Sequence, residues 1–193
     1  ASVTRDLTHS LDALAALPDL TLSAAFGPQH GLRGDKQDNM VESPDYTDPL
    51  LGIPVFSLYG EVRRPTAAMM DTFDVLLVDL QDLGCRIYTF ITTLRYVLEA
   101  AARRGKSVWV LDRPNPIGGD AVEGNVLDPE FRSFVGWHPL AVRHGMTAGE
   151  LALMFREELS LDVDLHVVPM KGWRRRMAYE DTSLPWVMPS PNI

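Results

Sequence analysis

Between Gly27 and Met40 the chain gathers an imidazole (His30), a guanidinium (Arg33), the carboxylates of Asp35 and Asp38, and the carboxamides of Gln29, Gln37 and Asn39. Gly27, Gly31 and Gly34 lie among them and let backbone approach a ligand closely. Such groups suit a polar ring that bears hydroxyls and a carboxylate. They equally suit a polar loop whose side chains cap its own backbone, so this stretch alone decides nothing.

Other parts of the chain narrow the chemistry. The Gly-x-Gly-x-x-Gly fingerprint and the P-loop pattern are absent, which argues against a nucleotide enzyme. No Gly-x-Ser-x-Gly turn is present for serine chemistry. His30, Asp35, Asp38, Asp82 and His144 are metal-ligand types, yet no pair has the close spacing of a helical zinc site; no metal and no cofactor are expected. Glycoside hydrolysis fits best. It uses two carboxyl groups across the scissile bond, or a tyrosine in place of one. Asp82, Asp112, Glu123 and Glu61 are the acids available, and Tyr88 is a possible nucleophile or charge stabiliser. Each has a plain structural alternative: Asp82 as a helix cap, Asp112 as the partner of Arg113 or of turn amides, Tyr88 as core.

At 193 residues the chain suits one domain, or one domain and the edge of another. An apolar share of 46% permits a real core. A net charge of −8 argues against nucleic acid as a main partner, since Lys171 with Arg174, Arg175 and Arg176 is the only basic cluster and reads as a solvated turn. Cys85 stands alone, which excludes an internal disulfide. No apolar run is long enough to span a membrane. A signal segment upstream of Ala1 would be invisible, so the compartment is not legible.

Loops at strand ends would position the candidate residues. Leu7, Leu11 and Leu14 predict a helix over Thr4–Leu17, and Leu20–Phe26 a buried strand leading into the dense loop. A second strand, Ile53–Leu58, discharges into Tyr59–Arg64, and Pro65-Thr66 begin a short helix to about Asp71. Val75–Val78, apolar on both faces as in a covered parallel sheet, delivers Asp79–Arg86. A helix over Thr89–Arg103, closed by Gly105, leads to a strand at Val108–Leu111 and then Asp112-Arg113-Pro114-Asn115-Pro116. Thr147-Ala148-Gly149-Glu150 is a capping box opening a helix to about Leu159, before a last strand at Val163–Val168. This alternation predicts an α/β fold: an open, mostly parallel sheet with helices on both faces and a ligand beyond the carboxyl ends of the strands.

Taken in order, Gly27-Pro28-Gln29-His30-Gly31-Leu32-Arg33-Gly34, Ser57-Leu58-Tyr59-Gly60, Asp79–Thr89, Leu111–Pro116, Val122-Glu123-Gly124, Ser133-Phe134-Val135-Gly136, Arg143–Thr147 and Pro189-Ser190-Pro191-Asn192 resemble the NamZ-type exo-β-N-acetylmuramidases, long catalogued as a domain of unknown function. The resemblance covers the whole chain. It implies a three-layer Rossmann-like catalytic domain over residues 1–193, a smaller carboxyl-terminal domain and a cleft between them. It also implies release of terminal N-acetylmuramic acid from peptidoglycan fragments, with a small saccharide or such a fragment as partner. By the same resemblance, Gln29 and His30 face the scissile bond, and Asp82, Tyr88, Glu123 and His144 supply acid, base or nucleophile. Arg33, Arg86 and Arg143 are candidates for the lactyl carboxylate, and Asp112, Asn115 and Asn192 hold the sugar. The family commonly carries Pro-Glu-His-Gly where this chain has Pro28-Gln29-His30-Gly31, and an amide cannot relay the proton that glutamate would. The alternatives are a sugar-binding module without turnover, or a hydrolase of a different sugar acid. Relatives of this type carry a strand before Ala1 and a domain after Ile193, so the chain by itself is expected to be unstable or to form a homodimer.

Overall fold

The structure, a computed structural model, describes residues 2–36 and 41–190. It is an α/β fold with mostly parallel strands, as the alternation predicts. The chain divides into two compact units, Ala1–Asp74 with Pro185–Ile193, and Val75–Leu184.

The first unit holds α1 (Ser10–Ala15), β1 (Ala25–Gly27), β2 (Tyr46–Thr47), β3 (Pro54–Ser57) and α2 (Ala67–Met70). Its sheet runs β1-β3-β2, with β1 parallel and β2 antiparallel to β3. Leu11, Ala25 and Val55 form its core, with Leu22, Leu32, Leu51 and Ile53 packed against them. Phe26 adds ring contacts to Phe56 and Phe73. The predicted helix over 4–17 is corrected to the six residues of α1. Residues 4–8 instead close a turn, Thr4 N to Thr8 O, and the Asp6 carboxylate accepts from both threonine hydroxyls. Leu7 is thereby left at φ 67° and 58% exposed, outside the apolar stripe its spacing suggested. His9 opens α1, its ring accepting from Leu11 N. The first strand begins at Ala25, not Leu20. Thr66, not Pro65, caps α2.

The second unit carries β4 (Val75–Val78), α3 (Phe90–Arg104), β5 (Ser107–Leu111), β6 (Glu123–Val126), β7 (Ala141–Arg143), α4 (Ala148–Glu158) and β8 (Leu165–Val168). Its main sheet, β4-β5-β8, is wholly parallel. The helix α3 forms because Leu94, Val97, Leu98 and Ala101 make one apolar stripe, all buried, and Gly105 ends it at φ 61°. On α4, Leu151, Ala152 and Phe155 are buried, and α3 and α4 pack on one another and on β5. Burial of a side chain as large as Phe155 stabilises by about 1.5–3 kcal/mol. Val75 is 46% exposed, so β4 is not covered along its length as its apolar run suggested. The antiparallel ribbon β6–β7 adds a second element that periodicity does not announce.

Candidate active site

In the first unit, β1 delivers the dense loop. A Cβ on Gly27 would stand 3.1 Å from Leu32 N, so a larger residue there would press on the loop where it folds back. Gly31 N donates to Pro28 O and Lys36 N to His30 O, and these bonds hold His30 at φ 71°. A non-glycine residue in that region marks strain of the kind found at functional loops. His30 Nδ1 lies 3.2 Å from Lys36 O. A carbonyl only accepts, so Nδ1 bears the proton and the neutral ring offers Nε2 as an acceptor. Gln29 and His30 are both buried, and the Gln29 amide makes no hydrogen bond among the described residues. Arg33 is differently placed. Its guanidinium donates twice to Asp12, at 3.0 and 2.9 Å, and stands 3.6 Å from Asp48. These contacts hold the guanidinium well above its ordinary pKa, the hydrogen bonds to Asp12 being the largest cause. Arg33 closes a structural ion pair of this unit.

In the second unit, the loop after β4 lies at the carboxyl end of the parallel sheet. Asp79 accepts there from Nε and Nη2 along one edge of the Arg113 guanidinium. Asp82 is 7% exposed. Its Oδ2 accepts from Gly84 N at 2.7 Å, and His144 Nε2 stands 3.3 Å from the same oxygen. Asp82 Oδ1 is shielded and has no hydrogen-bond partner among the described residues. The His144 side chain is fully buried and its Nδ1 accepts from Met146 N at 3.1 Å, which puts the proton of the neutral ring on Nε2, an atom with no hydrogen-bond partner among the described residues. Asn115 secures this arrangement: its Nδ2 donates to Met146 O at 2.9 Å and its Oδ1 accepts from Ile117 N. A Cβ on Gly84 would fall 2.3 Å from Asn115 Oδ1, so the loop can close there only at glycine.

The remaining predicted residues sort into supports. Asp112 binds the start of α4, accepting from Gly149 N at 2.8 Å, from the Thr147 hydroxyl at 2.9 Å and from Arg113 N. Burial nonetheless pushes its carboxyl pKa up. Arg86 donates to the carbonyls of Asn125 and Leu140, pinning the ribbon. Arg143 donates to Glu123 at 2.8 Å and to Ile117 O. Tyr88 is buried with its ring 4.5 Å from Phe90. Arg175 corrects the basic cluster: it binds Glu150 and the carbonyls of Gly119 and Gly145, tying α4 to the glycine-rich turn. Gln29, His30 and Arg33 thus belong to the first unit. The second unit brings Asp82, Asn115 and His144 together, and sets Glu123 and Arg143 on the ribbon that Arg86 pins. Asn192 lies outside the described residues.

A sequence model described as the amino-terminal part of the exo-beta-N-acetylmuramidase NamZ matches residues 1–193. The chain belongs to the NamZ family. It is 50% identical over its full length to the peptidoglycan beta-N-acetylmuramidase NamZ of Bacillus subtilis strain 168, and covers 46% of that protein. It resembles the crystal structures of two DUF1343 family proteins of Bacteroides fragilis NCTC 9343. The first has a TM-score of 0.90 at 45% identity, with 98% of this chain and 48% of that one covered. The second has a TM-score of 0.75 at 36% identity, with 90% and 45% covered. The chain therefore spans about half the length of the relatives it matches. This NamZ-family chain also shows a residue that pattern reading passed over. Gln81, 4% exposed, donates from Nε2 to Asp82 O and Pro114 O, and its Oε1 has no partner among the described residues. Its one local signal is its place between two aspartates just past a buried strand.

Proposed function

We propose that residues 1–193 act as one catalytic domain of a glycosidase that releases terminal N-acetylmuramic acid from peptidoglycan fragments. The observation that carries this reading is Asp82 Oδ1, a shielded carboxylate oxygen with no partner among the described residues, with the buried His144 Nε2 3.3 Å from the other oxygen. Membership of the NamZ family supplies the substrate class.

In this scheme Asp82 gives its proton to the glycosidic oxygen as the bond from C1 breaks, and recovers one from the water that adds to C1. His144 touches Asp82 and stabilises its charge. Glu123, on the exposed ribbon, is the second carboxyl group, and Tyr88 stabilises developing charge at the ring. Gln29 and His30 are proposed as sugar ligands of the first unit, His30 through the lone pair of Nε2. Of the three arginines, Arg33 is committed to Asp12 and Arg86 to carbonyls. Arg143 pairs with a mostly exposed glutamate, and exposed pairs contribute only about 0–1 kcal/mol. It is the guanidinium that a lactyl carboxylate can claim. Asp112 and Asn115 act behind the sugar by holding α4 and the His144 loop, and Asn192 is proposed as a hydroxyl ligand.

The full-length protein is expected to release chromophore from a chromogenic N-acetylmuramic acid glycoside. The Asp82→Asn variant should lose about 10²–10⁴ of that rate with folding intact. Retained turnover in that variant would sink the assignment. Gln29 favours one other reading, binding without hydrolysis. That reading holds if the wild type binds the glycoside without cleaving it and Gln29→Glu restores turnover. Cleavage of other sugar-acid glycosides only would move the substrate instead.

A further inference from the structure

We infer that Gln81 reads the 2-acetamido group of the sugar, its Oε1 accepting the amide N–H at the carbon next to the one whose bond Asp82 serves. This rests on the glycosidase reading above.

The orientation of the Gln81 amide is fixed by its surroundings. Nε2 donates to Asp82 O at 2.9 Å and to Pro114 O at 3.0 Å. Both partners are carbonyls and can only accept, so turning the amide over would set oxygen against oxygen. Both N–H groups are thereby engaged, and Oε1 remains as a pure acceptor. It is shielded from solvent and unpartnered among the described residues, on a side chain that is 4% exposed. Buried polar atoms in folded proteins are paired in the great majority of cases, and the exceptions concentrate at functional positions. Asp82 Oδ1, one residue on, is in the same condition. Both residues follow β4 at the carboxyl end of its sheet, where open α/β sheets take their ligands.

Acceptors select the ligand by what they refuse. They repel phosphate and carboxylate, and no group of three metal-ligating side chains occurs among the described residues to make them a cation site. What Gln81 Oε1 fits is a neutral ligand with a donor. A glycoside of a 2-acetamido sugar brings such a donor: Asp82 gives its proton to the oxygen on C1, and the N–H projects from C2. An ester oxygen in place of that N–H has no proton to offer Oε1.

Titration calorimetry on the full-length protein tests this with free N-acetylmuramic acid and its 2-acetoxy analogue, in which an ester oxygen replaces the N–H. The wild type should bind the amide about 10–100-fold more tightly, the effect of leaving one buried acceptor unpaired. In Gln81→Leu the ratio should fall to about one, because the acceptor is gone for both sugars. Should that variant not fold, Gln81→Met, of matching length, carries the same expectation. A variant that weakens both sugars alike and keeps the ratio overturns the inference. Equal binding of the two sugars by the wild type overturns it while leaving the glycosidase reading in place. Binding of neither sugar overturns both.

Discussion

Replacing Gly149 by alanine sets helix propensity against packing. Within a helix this change ordinarily stabilises by about 1 kcal/mol. Gly149 is the second residue of α4, so propensity predicts a gain. The structure predicts the opposite. A Cβ there would stand 2.6 Å from Val167 Cγ1 and 2.8 Å from Asp112 Cγ. Val167 is held in β8 by its pairing with Val110. Asp112 cannot retreat without loosening its bonds from Gly149 N and Thr147 Oγ1. Overpacking costs about 1–3 kcal/mol, and each hydrogen bond to a charged group is worth about 1.5–3 kcal/mol. With partial relaxation, the net loss is about 2–4 kcal/mol after the propensity gain is subtracted. At about 2–4 °C per kcal/mol for a chain of this size, Tm should fall by about 5–15 °C. Calorimetry of the full-length protein and its G149A variant reads this directly. An unchanged or higher Tm would refute the reasoning and reduce Asp112 to a loosely held side chain.

Acid should weaken the first unit by a separate route. Asp12 and Asp48 both have lowered carboxyl pKa values, Asp12 chiefly through the Arg33 hydrogen bonds and Asp48 chiefly through the Leu51 amide. Their contribution is complete above the ordinary carboxylate value of about 4 and is lost as pH falls through the lowered folded-state values. Urea melts between pH 2.5 and 6, about the range where carboxylates titrate, should show stability falling toward acid. Arg33→Met should remove most of the Asp12 share of that slope and leave most of the Asp48 share; an unaltered slope would contradict the ion pair. His30→Asn isolates chemistry from strain, since asparagine tolerates the left-handed backbone that His30 adopts. Its melt should shift by no more than about 1 kcal/mol while activity drops at least about 100-fold, and intact activity would remove His30 from the site.

Local signals were legible where one short window contained the whole cause. Val75–Val78 and the capping box at Thr147 and Glu150 stand as the residues suggest, and α3 differs from its predicted span by a single residue at each end. The early helix failed because Asp6 offers its carboxylate to Thr4 and Thr8, a competing turn that leucine spacing cannot reveal. The β6 strand is exposed along its whole length and includes Gly124 and Asn125, so it carries no alternation to read. The site divides in the same way. The position of Asp82 at a strand end was visible, but its pairing with His144 joins residues far apart in sequence. Arg33 and Asp112 have partners, Asp12 and the start of α4, that are equally remote in sequence. Gln81 depends on the carbonyl of Pro114, which no local pattern announces.

The register of β5 with β8 bears on how this unit folds. Val108 pairs with Leu165, so the ribbon and α4 must be threaded between two strands before that edge can close. The helix α3 closes through local contacts and is available early, whereas parallel pairings at long separation come late and slowly. Trp109 stacks on His166 across this late edge, ring centroids 4.9 Å apart. Its indole therefore sits where the final strand docks, and the Trp109 contribution to emission during refolding should arrive with the slowest phase. Until then β5 offers an open edge to any other chain, which makes the interval before β8 docks the time of greatest aggregation risk.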